Sequence, residues 1–232
     1  MDRNGNAYTF IYASVMVVLV AAILSVAAIN LKPFQSRNVE IEKKQNILKS
    51  INVLAGVTEA EKMFDETISE SYIVDVKGNK VDGDAFIVNL KKERAKPDSE
   101  RQMPIYVANI KGEGKKYILP LYGSGLWGAV WGYIALNDDL NTIYGATFDH
   151  EKETPGLGAE ISTEAFQAPF KGKTIFSESG KLMSIIVAKA GEKAEAQHSV
   201  DAISGGTITS KGLQQMILDD LTTYQEFFNK VR

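Results

Sequence analysis

From Asn4 to Leu31 the chain carries no charged side chain, and Arg3 and Lys32 bracket the gap. As a helix, a stretch of that length crosses the hydrocarbon layer of a bilayer, which about 20 apolar residues suffice to span. Its centre, Phe10 to Ile29, holds five Val, three Ile, two Leu and one Phe. At about −0.3 to −0.6 kcal/mol each, those residues favour insertion by roughly 3 to 7 kcal/mol, with no charge opposing them. Tyr8 and Tyr12 stand near one end, where an interfacial aromatic is well placed. The reading is a short N-terminal segment, 1–9, and a transmembrane helix, 10–31. Ser25-Val26-Ala27 has the small-x-small form of a signal-peptide cleavage site. The apolar run is long for a signal peptide and Arg3 alone precedes it, so a retained helix is the stronger reading. Pro33-Phe34-Gln35-Ser36 is expected to end that helix. Lys32, Arg37, Lys43 and Lys44 follow it and only Arg3 precedes it, a balance that by itself places the remainder in the cytoplasm.

Composition narrows the chemistry of the remainder. A formal net charge of −3 offers no basic surface and argues against nucleic acid. With no Cys there is no disulfide, no thiolate nucleophile, no cysteine-ligated cluster and no CxxCH haem attachment. Two His argue against a histidine-rich metal centre, and no metal site is expected. If the protein handles electrons, an organic cofactor must carry them.

Beyond the apolar stretch, Asn38 to Ala55 reads as a helix with Ile47, Leu48, Ile51 and Leu54 on one face, and Thr58 to Tyr72 as a second. Together 32–72 form a helical linker region. Strands are expected at Ser71–Val76, Ala85–Leu90, Ile105–Ile110, Lys116–Tyr122, Val130–Leu136, Thr142–Phe148 and Ser184–Ala188, with a turn of helix at Phe166–Phe170. Leu213, Met216, Ile217, Leu221, Tyr224, Phe228 and Val231 make Lys211 to Val231 an amphipathic helix. The fold class is α+β: one soluble domain, 73–232, with a twisted sheet flanked by helices.

Three glycine motifs punctuate that domain. Gly123-Ser124-Gly125-Leu126-Trp127-Gly128 satisfies GxGxxG, but the next residues alternate like a strand and open no helix, so a turn between strands is the better reading. His150-Glu151-Lys152-Glu153-Thr154-Pro155-Gly156-Leu157-Gly158 reads equally as a loop presenting backbone N–H groups to a ligand or as a surface turn. Asp201-Ala202-Ile203-Ser204-Gly205-Gly206-Thr207-Ile208-Thr209-Ser210 precedes the last helix. A helix start behind glycines and hydroxyls is an anion site. On the residues alone the simpler and stronger reading is a turn with Ser210 or Thr209 as the cap.

In this order, the membrane helix, Leu119-Pro-Leu-Tyr-Gly-Ser-Gly-Leu-Trp-Gly128, Glu153-Thr-Pro-Gly-Leu-Gly158 and Asp201–Ser210 resemble the C component of the sodium-translocating NADH:quinone oxidoreductase, over nearly the whole chain. The resemblance implies covalent FMN. In that family the last motif has the form D-x-x-(S/T)-G-A-T, and a flavin transferase esterifies its threonine with the FMN phosphate. That residue is Thr207 here, with Thr209 as the fallback; Asp201, Ser204 and Gly205 match, and Gly206 replaces the alanine. Gly125, Leu126, Trp127, Glu153, Thr154, Pro155, Gly156, Leu157 and Gly158 would surround the flavin, and Ser210 would stand at the helix start that receives the phosphate. The resemblance further implies a single-pass protein of the bacterial inner membrane, its flavin domain facing the periplasm, against the charge balance. Electrons would pass from an iron–sulfur centre of a neighbouring membrane component to this FMN and on to the flavin of the B component, towards ubiquinone. No acid–base catalytic residue, sodium site or NADH site is expected on this chain. The G component of the related Rnf electron-transport complex shares these motifs, and a membrane-tethered FMN-binding sensor is the rival from another class.

Overall fold

The computed structural model describes residues 5–189 and 191–232, so Arg3 and Asn4 lie outside the described residues. The chain forms two compact units, divided between Lys43 and Lys44.

The first helix, α1 (Asn6–Ser50), runs unbroken through both the apolar stretch and the segment expected to end it. At 1.5 Å per residue it is about 67 Å long. Its apolar window is unburied, and it is the helix among the described residues that is long and apolar enough to cross a membrane. Pro33 sits inside it. Proline removes one hydrogen bond and crowds the preceding turn, at a cost of about 3 kcal/mol, but that cost is local and the helix formers from Glu40 to Gln45 carry the helix on. It stops at Asn52, whose φ of 60° is the left-handed conformation that closes helices, with Val53 N donating to Leu48 O at 3.0 Å. Ile47, Leu48 and Ile51 are fully buried in the second unit.

That unit is built on a six-stranded antiparallel sheet in the order β2-β1-β3-β4-β5-β6. Its strands are β1 (Ile68–Asp75), β2 (Lys80–Val81), β3 (Gln102–Ile110), β4 (Gly114–Ser124), β5 (Ala129–Asn137) and β6 (Ile143–His150). The central strands are apolar on both faces because both are covered. Ile105, Val107, Leu119, Leu121, Ile134 and Phe148 join the core under the C-terminal helices. Tyr106, Ala108, Ile118, Tyr133 and Tyr144 face Ile47, Leu48 and Ile51.

Two expected elements take other forms. The helix expected to reach Tyr72 is α2 (Ala60–Thr67), and Ile68 onward pairs with β3 as β1. Its β-branched residues find a strand partner there, which local propensity does not register. The strand expected at Ala85–Leu90 is a turn followed by the N-cap of α3 (Leu90–Arg94). Asp84 Oδ1 accepts from Phe86 N at 2.8 Å and Asn89 Oδ1 from Lys92 N at 3.1 Å, the local bonds by which such side chains compete with strand pairing. The turn of helix near Phe166 is α4 (Glu164–Gln167), extended through Phe170.

A short parallel pair, β7 (Ile186–Ala188) and β8 (Ser199–Asp201), leads into the last helices, α5 (Thr207–Thr223) and α6 (Gln225–Val231). A turn at Tyr224 divides the expected single helix, the Tyr224 hydroxyl donating to Pro104 O at 2.7 Å. Phe227 joins the buried face and Val231 is exposed. The helix starts at Thr207, four residues before Lys211, and this earlier start positions the site.

Candidate functional site

Three segments meet at the N-terminus of α5. The first is the loop Gly125–Gly128 joining β4 to β5, closed by Gly125 N donating to Gly128 O at 2.8 Å. The second is the turn 153–158 after β6, where Thr154 O accepts from the N–H groups of Leu157 and Ala159, each at 3.1 Å. The third is the loop 202–206. Ala202 N donates to Ala188 O at 2.7 Å, Ile203 N to Ser210 Oγ at 3.2 Å and Gly206 N to Ile203 O at 3.0 Å. Val187 N donates to Gln214 Oε1 at 3.0 Å, fastening β7 to α5.

Neither hydroxyl expected to cap α5 does so. The cap position is Gly206, which has no side chain to offer, and the first turn has no side-chain cap. Ser210 is buried and its hydroxyl holds Ile203 N instead. Thr209 is 2% exposed and donates to Glu153 Oε2 at 2.5 Å. The N–H groups at the helix start, with the positive end of its dipole, are left for an anion. Thr207, its first residue, is half-buried, with exposed Ser204 and Gly205 beside it. Asp201, at the end of β8, is exposed.

Glycines let these backbones approach. A Cβ on Gly125 would stand 2.5 Å from Glu153 Oε1, and one on Gly158 would strike both Glu153 and Thr209. Gly205, at φ 76°, passes under Leu157, whose Cδ2 would lie 2.7 Å from an added Cβ. At Gly206 an added Cβ would come within 2.9 Å of Ile203 Cγ2, so Ile203 fills the space an alanine methyl would need.

Glu153 is buried at the centre of this arrangement. Its Oε1 accepts from Trp127 N at 2.8 Å, its Oε2 from Thr209, and its own N donates to His150 Nδ1 at 3.3 Å. Glu151 faces solvent, and no cluster of three metal-ligating side chains occurs among the described residues. Around the helix start Leu126, Trp127, Leu157 and Ile208 are all exposed, Trp127 by 64%. Large apolar side chains left in solvent beside unsatisfied N–H groups suit a ligand with an anionic end and a flat apolar body.

The structure thus brings Gly125, Trp127, Glu153, Leu157, Gly158, Gly205, Gly206, Thr207 and Thr209 together. Sequence reasoning missed Ile203, Ile208 and Gly212. A Cβ on Gly212 would strike Ser124 O, so this glycine brings α5 onto the end of β4 at backbone distance. A lone glycine inside an amphipathic helical pattern was the available signal.

A separate cleft of about 530 Å³, lined by Arg94, Asp98, Arg101 and Asp219 among others, lies by the C-terminal half of α5. Its charges answer one another: Arg94 pairs with Asp219 and Asp220, and Arg101 with Asp98 at 2.7 Å.

Comparison with known proteins agrees with this geometry. The FMN-binding domain family matches residues 125–222, from the loop between β4 and β5 to the end of α5. The C component of the Na(+)-translocating NADH-quinone reductase of Neisseria meningitidis is 34% identical over 92% of this chain and 88% of its own. That of Vibrio anguillarum is 30% identical over 92% of this chain and 89% of its own. The crystal structure of the same component from Parabacteroides distasonis superposes with a TM-score of 0.79 at 48% identity, covering 85% of this chain and 96% of that one. An α+β domain following a long apolar helix matches these relatives, and the chain belongs to the family of the C component of the Na(+)-translocating NADH-quinone reductase.

Proposed function

We propose that this protein carries one FMN, bonded through its phosphate to Thr207, and relays electrons within a sodium-translocating NADH-quinone reductase complex. The observation that carries this reading is the contrast between two threonines on one helical turn. Thr207 opens α5 half-buried at an uncapped N-terminus, whereas Thr209 is buried and commits its hydroxyl to Glu153. Only the first can reach a phosphate without breaking an internal bond.

The residues present fit the group. The N–H groups of the first turn would hold the phosphate charge, and Thr207 Oγ, losing its proton, would become the ester oxygen. Gly158, Gly205 and Gly206 let Glu153, Thr209, Leu157 and Ile203 pack directly against the backbone of the site. Leu126, Trp127, Leu157 and Ile208 would cover the flavin ring. When bound, FMN supplies the one- and two-electron chemistry; the protein supplies position, shielding and local charge.

In the same reading α1 anchors the chain in the inner membrane through residues 10–31, residues 32–72 follow as a linker, and 73–232 form the flavin domain in the periplasm. A folded domain behind a single helix crosses despite a few basic residues. The partners are a membrane component with an iron–sulfur centre, the flavin-bearing B component, and the transferase that attaches the flavin. The relatives' names support this complex over the Rnf complex.

The test is to co-express the full chain with a flavin transferase, denature it and measure intact and peptide masses. The expected result is a gain of FMN less one water on the peptide containing Thr207. An unmodified chain from cells with an active transferase would overturn the proposal.

A further inference from the structure

Glu153 is a buried carboxylate that joins the segments of the site. It accepts from the backbone of the first segment at Trp127 and from the side chain of Thr209 in the helix. The space at Gly125 and Gly158 is closed by its two oxygens. Both oxygens act as acceptors, the pattern of an ionised carboxylate. The donors are neutral, and no Lys, Arg or His pairs with Glu153 among the described residues. A buried acid without a cation is costly to the fold, and a glutamine could satisfy the same two neighbours.

We propose that Glu153 is a positioning residue with two effects at the flavin site: its hydrogen bonds latch the segments into the shape that presents Thr207, and its uncompensated charge lowers the reduction potential of the flavin held there. The first effect follows from geometry. Without the latch, Trp127 N and Thr209 Oγ1 lose their acceptor, the loop from Gly125 to Gly128 is free to leave the helix, and Thr209 is free to turn outward. The second follows from Coulomb's law in a water-poor site, where a fixed negative charge opposes added electron density nearby. The inference rests on the Thr207 reading above.

The full chain is co-expressed with a flavin transferase as wild type, Glu153→Gln and Glu153→Leu. Three readouts are taken: flavin stoichiometry and position by mass, midpoint potential by spectroelectrochemical titration, and folding by circular dichroism. Glutamine keeps both hydrogen bonds, its carbonyl accepting from Trp127 N and its amide donating to Thr209 Oγ1, and removes only the charge. Glu153→Gln is therefore expected to keep flavin on Thr207 and to titrate at a more positive potential than wild type. Glu153→Leu is expected to lose flavin at Thr207 several-fold, with part of the remainder on Thr209.

Equal loading of Glu153→Leu and wild type would overturn the latch, as would Glu153→Gln loading no better than Glu153→Leu. An unchanged or more negative potential in Glu153→Gln would overturn the electrostatic effect. Should Glu153→Leu fail to fold, Thr209→Val removes one arm of the latch at nearly constant volume. Reduced loading then supports the latch and full loading overturns it. A flavin-free wild type would instead sink the Thr207 reading itself, so the two failures are distinguishable.

Discussion

Two buried carboxylates serve opposite ends of α5, and their surroundings differ. Near the C-terminal end, Asp220 receives Arg94 Nη1 at 2.8 Å and Tyr122 N at 2.8 Å, and Arg94 also binds Asp219. Near the N-terminal end, Glu153 receives only neutral donors, and the first turn of the helix has no side-chain cap. Burial pushes the Asp220 carboxyl up to about 7, against the pull of Arg94 and the Tyr122 N–H. The C-terminal end is fastened in the manner of a structural joint, where the buried Asp220 has both a cation and a backbone donor. The N-terminal end leaves donors open at the surface, where water satisfies them cheaply until an anion replaces it. One helix is thus fastened at one end and, under the proposed function, is a receptor at the other.

Experiments can break this contrast, beginning with the receptor end. Thr207→Val is expected to abolish covalent flavin while leaving the circular dichroism spectrum unchanged, and retained covalent FMN would move the attachment to Thr209. At the fastened end, Arg94→Met should lower stability by about 3 kcal/mol, the low end for breaking a buried pair, because Asp220 can take up a proton when its partner leaves. Chemical denaturation measures this, and a loss below about 1 kcal/mol would class the pair with exposed salt bridges.

The next effect is a slope. The carboxyl of Asp220 sits higher in the folded chain than in the unfolded one. Between about pH 4 and 7 the folded state therefore binds more protons, so this group's contribution to stability falls as pH rises through that window and levels above it. Asp220→Asn should flatten that part of the stability–pH curve whatever its absolute cost, and an unaltered slope would assign it to other groups. The smallest effect returns to the receptor end. Gly206→Ala should cost about 1–2 kcal/mol through overpacking against Ile203 Cγ2, and Ile203→Ala, which removes that methyl, should recover part of it. Additive losses in the double variant would show that the two residues do not share that space.

The chain's own patterns carried the fold a long way. The uncharged apolar run foretold the helix, and five of the six sheet strands, all but β2, coincide with apolar, β-rich segments read directly from the sequence. The motif that singles out Thr207 as the proposed attachment site could be read because it is contiguous. Local patterns misled where a side chain or a distant strand intervened: Asp84 and Asn89 turn an apparent strand into a turn and a helix cap, and β3 draws Ile68 to Tyr72 out of a helix. Pro33 was given too much weight, since one missing bond does not end a helix of 45 residues.

The sequence by itself determined most of the kinds of element, the long apolar helix and the candidate threonines, because periodicity and motif act over a few residues along the chain. Which hydroxyl stays free, which carboxylate lacks a cation and where α5 begins were decided only in three dimensions. Thr209 meets Glu153 across 56 residues, Trp127 meets it across 26, and Asp220 meets Tyr122 across 98. A polar side chain is committed by the partners that folding brings within about 3 Å, and those partners are not its neighbours in sequence.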